Sequence, residues 1–398
     1  MQSIRYIYKV GHGPSSSHTM GPAKATSEMM KRYPEADYFK VVLFGSLALT
    51  GKGHLTDFII SKTFGDVKHD IEFDYLSPCN YHPNTLDFHM FKDGVEFAYH
   101  RIFSVGGGTI EIEGEELASE EDIYPFTTFT DTAKYLEENN LTIPEYVLQI
   151  EGEEIKEYIA YIYDIMCQRI KDGLSKEGKL PGSLGVSRKA KAIYNKPIRD
   201  ASMALQQRIF AYAYAVSEEN ASGAVVVTAP TCGACGVVPA ILYAIENDYH
   251  FPREKIINAL LVAGFIGNLI KNNASISGAE AGCQAEIGSA CAMGAAACSY
   301  LFDGTTEDIE QSAEIALEHH LGLTCDPIAG YVQIPCIERN AVCALRANDC
   351  SKLVHLINEK ENKISFDMVC RTMLQTGKDL HSDYRETAEG GLASHFRK

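Results

Sequence analysis

Three groups of side chains in this sequence have the types and spacing to do chemistry. Cysteines form the first. Cys283 stands with Glu286 in residues 273–297, where nearly every other side chain is small. A run so rich in Ala, Gly and Ser has no large apolar face, so it predicts a helix and turn crossed closely by other backbone. Cys283, Cys291 and Cys298 fit one helix there, but a rise of ~1.5 Å per residue sets neighbours ~10–12 Å apart, too far to share one small centre. A centre must recruit from other segments. Cys325 in Thr324-Cys325-Asp326-Pro327 and Cys336 in Pro335-Cys336-Ile337-Glu338-Arg339-Asn340 are flanked by polar, charged residues and by prolines that stiffen the backbone. Their spacing matches no compact ferredoxin run. On a four-iron cluster, three thiolates leave one iron open as a Lewis acid toward a hydroxyl and a carboxylate, whereas four close it for electron transfer. Cys232 and Cys235 form a Cys-x-x-Cys pair, the pattern of a redox dithiol or half a zinc site; no second pair completes it, and packing at a turn explains it as well.

The second group is the stretch Gly11-His12-Gly13-Pro14-Ser15-Ser16-Ser17-His18-Thr19-Met20-Gly21-Pro22. Its hydroxyls and the free amides of the helix expected over residues 23–31 make a seat for a small anion such as a carboxylate, or simply a capped loop. Histidines form the third. His54 follows Gly53 and precedes Thr56-Asp57, a carboxylate near enough in sequence to orient a general base. His82 lies in the turn Tyr81-His82-Pro83-Asn84, after Cys79. Gly106-Gly107-Gly108 lacks the spacing of a dinucleotide fingerprint.

The elements that hold these groups change character along the chain. Residues 40–47 predict a buried strand, and residues 72–108 alternate in short strands separated by turns. After the acidic stretch 111–122, helical periods dominate, over 130–138, 144–170 and 198–217, with a polar connection at 171–196 whose Arg188-Lys189-Ala190-Lys191 cluster is expected to face water. Residues 224–239 read as an apolar run, a turn and a helix. The polar, glycine-bearing stretch 373–393 is expected to fold back onto the protein. The fold class is therefore an α+β domain, residues 1–140, followed by an all-α domain, residues 141–398.

A length of 398 residues suits two domains. The net charge of -17 disfavours nucleic acid as a partner. No secretory signal opens the sequence, and the most apolar segment, 256–270, carries Asn258 and Asn268 and is too short to span a bilayer, so it reads as a buried helix and the protein as cytoplasmic. Twelve cysteines then sit in a reducing compartment, as ligands, nucleophiles or core residues.

Taken together, Ser15-Ser16-Ser17-His18-Thr19 with Gly21-Pro22, Gly51-Lys52-Gly53-His54, His82-Pro83-Asn84, Ser277-Gly278-Ala279-Glu280 with Gly282-Cys283-Gln284, Cys325-Asp326-Pro327 and Pro335-Cys336-Ile337-Glu338-Arg339-Asn340 resemble the bacterial iron-sulfur L-serine dehydratases over nearly the whole chain. The resemblance implies a 4Fe-4S cluster on Cys283, Cys325 and Cys336, borne by the helical domain. It also implies elimination of water from L-serine to give pyruvate and ammonia, without pyridoxal phosphate, in a homodimer. It assigns the substrate to Ser15, Ser16, Ser17, His18, Thr19 and Asn84, and the base to His54, with His82 as the second candidate. Two departures stand out. Cys232 and Cys235 replace the Asn or small residues usual in that turn, and the chain ends Ser394-His395-Phe396-Arg397-Lys398, without the terminal cysteine that caps the open iron in some relatives. A lyase acting on L-threonine or L-cysteine shares this chemistry, and a non-catalytic iron-sulfur redox sensor is the rival from another class.

Overall fold

A computed structural model describes residues 1–77, 82–115, 121–357 and 362–396; Cys79 lies outside them. Seven strands are found among these residues: β1 (Val10–His12), β2 (Tyr38–Leu43), β3 (Lys68–Phe73), β4 (Thr85–Lys92), β5 (Val95–Gly106), β6 (Thr109–Ile112) and β7 (Val225–Val227). Five of them form one sheet in the order β3-β2-β4-β5-β6, antiparallel except for the parallel β2–β3 pair. Three helices accompany the sheet: α1 (Gly21–Arg32), α2 (Gly45–Thr50) and α3 (Thr56–Phe64). Ala25 and Met29 of α1 and Ile60 and Phe64 of α3 join Val41, Phe88 and Ile102 in its core, the alternate positions of each strand supplying the buried face. The strand expected over 40–47 stops at Leu43, because Gly45 takes a positive φ of 55° and starts α2.

The helical part comprises α4 (Phe129–Asn139), α5 (Ile143–Glu151), α6 (Glu154–Ser175), α7 (Ala190–Asn195), α8 (Ala204–Ala221), α9 (Val237–Tyr249), α10 (Arg253–Asn273), α11 (Gly278–Ala281), α12 (Ser289–Leu301), α13 (Thr306–Glu318), α14 (Cys336–Leu356), α15 (Phe366–Asp379) and α16 (Gly391–Phe396). The helix expected over 144–170 is two, broken at Gly152, whose φ is 80°. At the centre is α12, whose Ala290, Ala292, Ala295 and Ala296 are buried. Small side chains let α9, α10, α13 and α14 pack against it closely. The apolar run 256–270 is the buried body of α10, and no helix among the described residues is long and apolar enough to cross a membrane.

Met1, Ile4, Ile7 and Tyr8 are buried in the helical core, where the Tyr8 hydroxyl donates to the Leu260 carbonyl at 2.8 Å. From there β1 pairs antiparallel with β7, Val10 opposite Val227, and delivers the Ser-rich stretch to the junction of sheet and helices. Beyond the sheet, which ends at Ile112, Phe129 and Leu136 of α4 already belong to the helical core.

Candidate active site

Ser15 caps a single π-turn, Ser16–Met20, that runs straight into α1, its hydroxyl accepting from the His18 amide at 3.3 Å. The turn buries His18 completely. Its Nε2 lies 2.9 Å from Thr50 Oγ1 and 3.1 Å from Ser46 Oγ. Both hydroxyl protons are committed elsewhere, Thr50 to the Ser46 carbonyl and Ser46 to the Glu386 carbonyl. Nε2 therefore carries the ring proton, leaving Nδ1 to accept from Ser17 Oγ at 2.9 Å, with Ser15 Oγ at 3.4 Å. Burial lowers the His18 pKa to about 4, although Glu386 opposes the shift, so the ring is neutral near pH 7.

His54, in the turn between α2 and α3, stacks on His18 with ring centroids 4.4 Å apart. Its Nδ1 faces the Thr50 carbonyl at 3.1 Å, and a carbonyl only accepts, so Nδ1 holds the proton and Nε2 is the basic atom. The carboxylate that addresses this ring is not Asp57, which instead accepts from the Phe58 amide at 2.9 Å. Glu386 fills the role from the far end of the chain. Its Oε1 is 3.4 Å from His54 Nε2 and 3.6 Å from His18 Nδ1. Burial pushes its pKa up, but the His18 and His54 rings when protonated, together with the Ala279 amide, hold it below the ordinary carboxylate value. Its Oε2 is buried and has no hydrogen-bond partner among the described residues.

Glu386 is held there by the cysteine segment itself. Cys325 donates its N–H to the Tyr384 carbonyl at 2.8 Å, and Glu386 donates its N–H to the Cys325 carbonyl at 2.9 Å, so residues 384–386 run beside Cys325 as a short parallel bridge. Sγ of Cys325, Sγ of Cys283 and a carboxylate oxygen of Glu286 all lie within 4.8 Å of one another. The Cys325 thiol donates to Cys283, and with Arg339 nearby this favours the Cys283 thiolate and keeps the proton on Cys325. Arg339 is fixed by the Thr324 carbonyl at 2.6 Å and Asp326 Oδ1 at 3.4 Å. Asp326 Oδ2 in turn accepts from the Leu392 amide at 2.7 Å, which docks α16. Cys336, the first residue of α14, is half-buried; burial raises its pKa, and it stands within electrostatic reach of Cys283 and Arg339. Glu286 accepts from Thr231 Oγ1 at 2.7 Å, and burial, reinforced by Glu386, favours its neutral acid form.

The structure thus brings Ser15, Ser17, His18 and His54 together around Glu386, and Cys283 and Cys325 together with Glu286, while Cys336 stands outside that close group. Other residues singled out from sequence make backbone contacts. Ser16 Oγ accepts from the Cys232 amide at 2.8 Å, and Thr19 donates to the His12 carbonyl at 2.7 Å. Asn84 donates to the Ser104 carbonyl at 3.3 Å but keeps a buried Oδ1 without a partner among the described residues. The His82 ring lies 6.2 Å from Phe103 and accepts from the Asn84 amide at 3.0 Å, in the field of Glu280 and Glu111. Cys232 and Cys235 are buried at a turn, with Cys232 Sγ 3.4 Å from Met20 Sδ. Arg188, expected to face water, instead pairs with buried Glu219 at 2.9 Å.

The family model described as the serine dehydratase alpha chain matches residues 77–393, and that of the serine dehydratase beta chain matches residues 3–64. The chain belongs to the serine dehydratase family. It is similar to L-serine dehydratase 2 of Escherichia coli (strain K12), with 39% identity covering 99% of this chain and 98% of that protein. L-serine dehydratase of Helicobacter pylori (strain ATCC 700392 / 26695) is 40% identical, over 98% of both chains. That of Streptomyces coelicolor is 36% identical over the same shares.

A thiol-ligated metal group fits the residues present. Two soft donors, Cys283 and Cys325, meet from separate segments and a third, Cys336, lies within electrostatic reach at the start of α14, with Arg339 beside them to offset thiolate charge. Gly278 keeps the neighbouring space clear, since a Cβ there would stand 2.8 Å from Glu286 Oε2 and 3.4 Å from Cys325 Sγ.

Proposed function

We propose that this chain is an L-serine dehydratase, eliminating water from L-serine to give pyruvate and ammonia, with Cys283, Cys325 and Cys336 holding a 4Fe-4S cluster and no pyridoxal phosphate. Glu386 carries this reading. A single buried carboxylate is hydrogen-bonded through its backbone to a cluster-ligand segment and faces both histidines with its side chain, which is an arrangement for moving a proton beside a metal centre rather than for storing an electron. When bound, the cluster supplies a Lewis acid for the hydroxyl and carboxylate oxygens of the substrate.

The protein's own groups supply the rest. His54 Nε2, its ring orientation fixed by the Thr50 carbonyl, takes the α-proton as the bond from the β-carbon to the hydroxyl oxygen breaks, and that proton later joins the departing hydroxide as the water eliminated. The imidazolium so formed lies beside Glu386, which stabilises it. Ser15, at the head of the π-turn, offers its hydroxyl to the substrate carboxylate, and Ser17 beside it does the same on turning its proton away from His18 Nδ1. The open Oε2 of Glu386 accepts from the substrate ammonium, replacing the partner it lacks. Burial of His18, His54 and Glu386 keeps bulk water from these contacts. The aminoacrylate released tautomerises and hydrolyses in solution without the protein. Similarity to the family also supports a homodimer, which light scattering on the eluting protein tests.

The reading is tested by comparing pyruvate from L-serine, 2-oxobutyrate from L-threonine and sulfide from L-cysteine under oxygen-free conditions. L-Serine is expected to turn over fastest; faster turnover of L-cysteine or L-threonine overturns the substrate choice, and no turnover of any overturns the function.

A further inference from the structure

A second group of metal-type ligands lies in the same helices and takes no part in the site above. Cys291 of α12, Cys343 of α14 and His320, just beyond α13, are all buried, and their ligand atoms lie within 4.8 Å of one another. Each sits close in sequence to one of the three cysteines already described: Cys291 eight residues after Cys283, His320 five before Cys325, and Cys343 seven after Cys336. Along α14 a seven-residue step is about 10 Å. The second group therefore lies on the same three segments as the first, about two turns further along α14.

Local geometry aims these residues at a metal. His320 Nδ1 is 2.7 Å from the Ala316 carbonyl, so it carries the proton and leaves Nε2 as the nitrogen free to ligate, the tautomer that outer carbonyls impose on metal-bound histidine. Cys343 donates to the Ile287 carbonyl at 3.2 Å, and Cys291 makes a longer contact of 3.6 Å with the Cys343 carbonyl. These weak thiol contacts are given up readily when the thiols ionise. Gly288 makes the approach possible, because a Cβ there would fall 2.9 Å from the Cβ of His320. Two thiolates, a neutral imidazole and a divalent ion sum to zero charge, so the assembly can be buried without a counter-ion. A cavity of about 450 Å³ lined by His320, Cys343, Val342 and Arg346 reaches the group and can admit a water as fourth ligand.

We propose that Cys291, His320 and Cys343 bind one zinc ion, completed by water from this cavity, that pins α12, α14 and the chain after α13 beneath the catalytic cysteines. The donor set of two sulfurs, one nitrogen and an open fourth position is the tetrahedral environment zinc takes.

The full-length protein, purified without oxygen from zinc-supplemented medium, is assayed for zinc and iron together. One zinc per chain is expected besides the iron, and zinc-edge X-ray absorption should report two sulfur and two lighter ligands. His320→Gln and Cys343→Ala should each lose the zinc while retaining iron, and Cys283→Ser should lose iron while retaining zinc. Zinc that persists in both His320→Gln and Cys343→Ala, or disappears with Cys283→Ser alone, places the ion elsewhere and overturns the proposal. So does a purified protein free of zinc, or a disulfide between Cys291 and Cys343 found by mass spectrometry after thiol blocking. Retained iron in His320→Gln doubles as the check that this variant folds.

Discussion

Glu386→Gln isolates the charge that joins the two halves of the site while keeping its shape. With Oε1 3.4 Å from His54 Nε2, a full charge pair at an effective dielectric of about 20 is worth at most about 5 kcal/mol. At about 1.4 kcal/mol per tenfold, that ceiling corresponds to three to four powers of ten in rate. The glutamine dipole and local rearrangement recover part of it, so a loss in kcat/KM of about a hundred- to a thousandfold is expected. If Oε2 also receives the substrate ammonium, KM rises as kcat falls. Pyruvate release from L-serine, followed without oxygen, measures both, and iron content with circular dichroism verifies that cluster and fold survive. A variant with intact iron and kcat/KM within about threefold of the parent would refute the reasoning, because a buried charge at that distance cannot be irrelevant to an imidazolium formed beside it.

Three further outcomes follow from the same geometry. His54→Ala should keep the iron-sulfur spectrum and lose about two to four powers of ten in turnover, the usual contribution of a general base; near-normal pyruvate formation removes it from that role. Cys283→Ser, Cys325→Ser and Cys336→Ser should each lose iron and activity, whereas Cys298→Ser, whose side chain is buried within α12, should keep both, as iron analysis and absorption check. The last concerns pH. The folded His18 pKa of about 4 lies below the unfolded value of about 6.5, so the unfolded chain binds more protons between them. Stability from this group is complete above about pH 6.5 and is lost on acidification toward about pH 4, by about 3 kcal/mol in all. Glu386, with a lowered pKa, contributes only in the more acidic range below its unfolded value of about 4.5. Urea midpoints at about pH 7 and pH 5 should therefore differ in the parent and differ less in His18→Asn; equal sensitivity in both refutes a buried neutral His18.

The cysteine segments and the Ser-rich stretch were legible because small residues, prolines and hydroxyls cluster around them in the sequence. His54 was legible as a base, but its partner was not. Asp57, three residues away, was the local candidate, and short-range reasoning cannot see that it serves its own helix start. Glu386 sits 332 residues beyond His54 in a stretch whose one visible signal was that a polar, glycine-bearing tail is unusually well furnished for a free end. Its φ of 58° and the bridge to Cys325 are tertiary facts, carried by a register that no periodicity encodes. Arg188 was misjudged as solvent-facing for the same reason: it lies in the connection before α7, and the carboxylate it meets, Glu219, is on α8. The two breaks in expected elements, at Gly45 and Gly152, both fall on glycines with positive φ, where a helix or strand period gives no warning of a turn.

The proposed chemistry depends on a thiolate-held iron centre that still has room for an amino acid. Absorption spectroscopy of the oxygen-protected protein before and after adding L-serine tests this most directly. About four irons per chain are expected, with a thiolate-to-iron band that changes on addition of L-serine as pyruvate accumulates. An iron-free protein, or a band that L-serine leaves unaltered while no pyruvate forms, would contradict it.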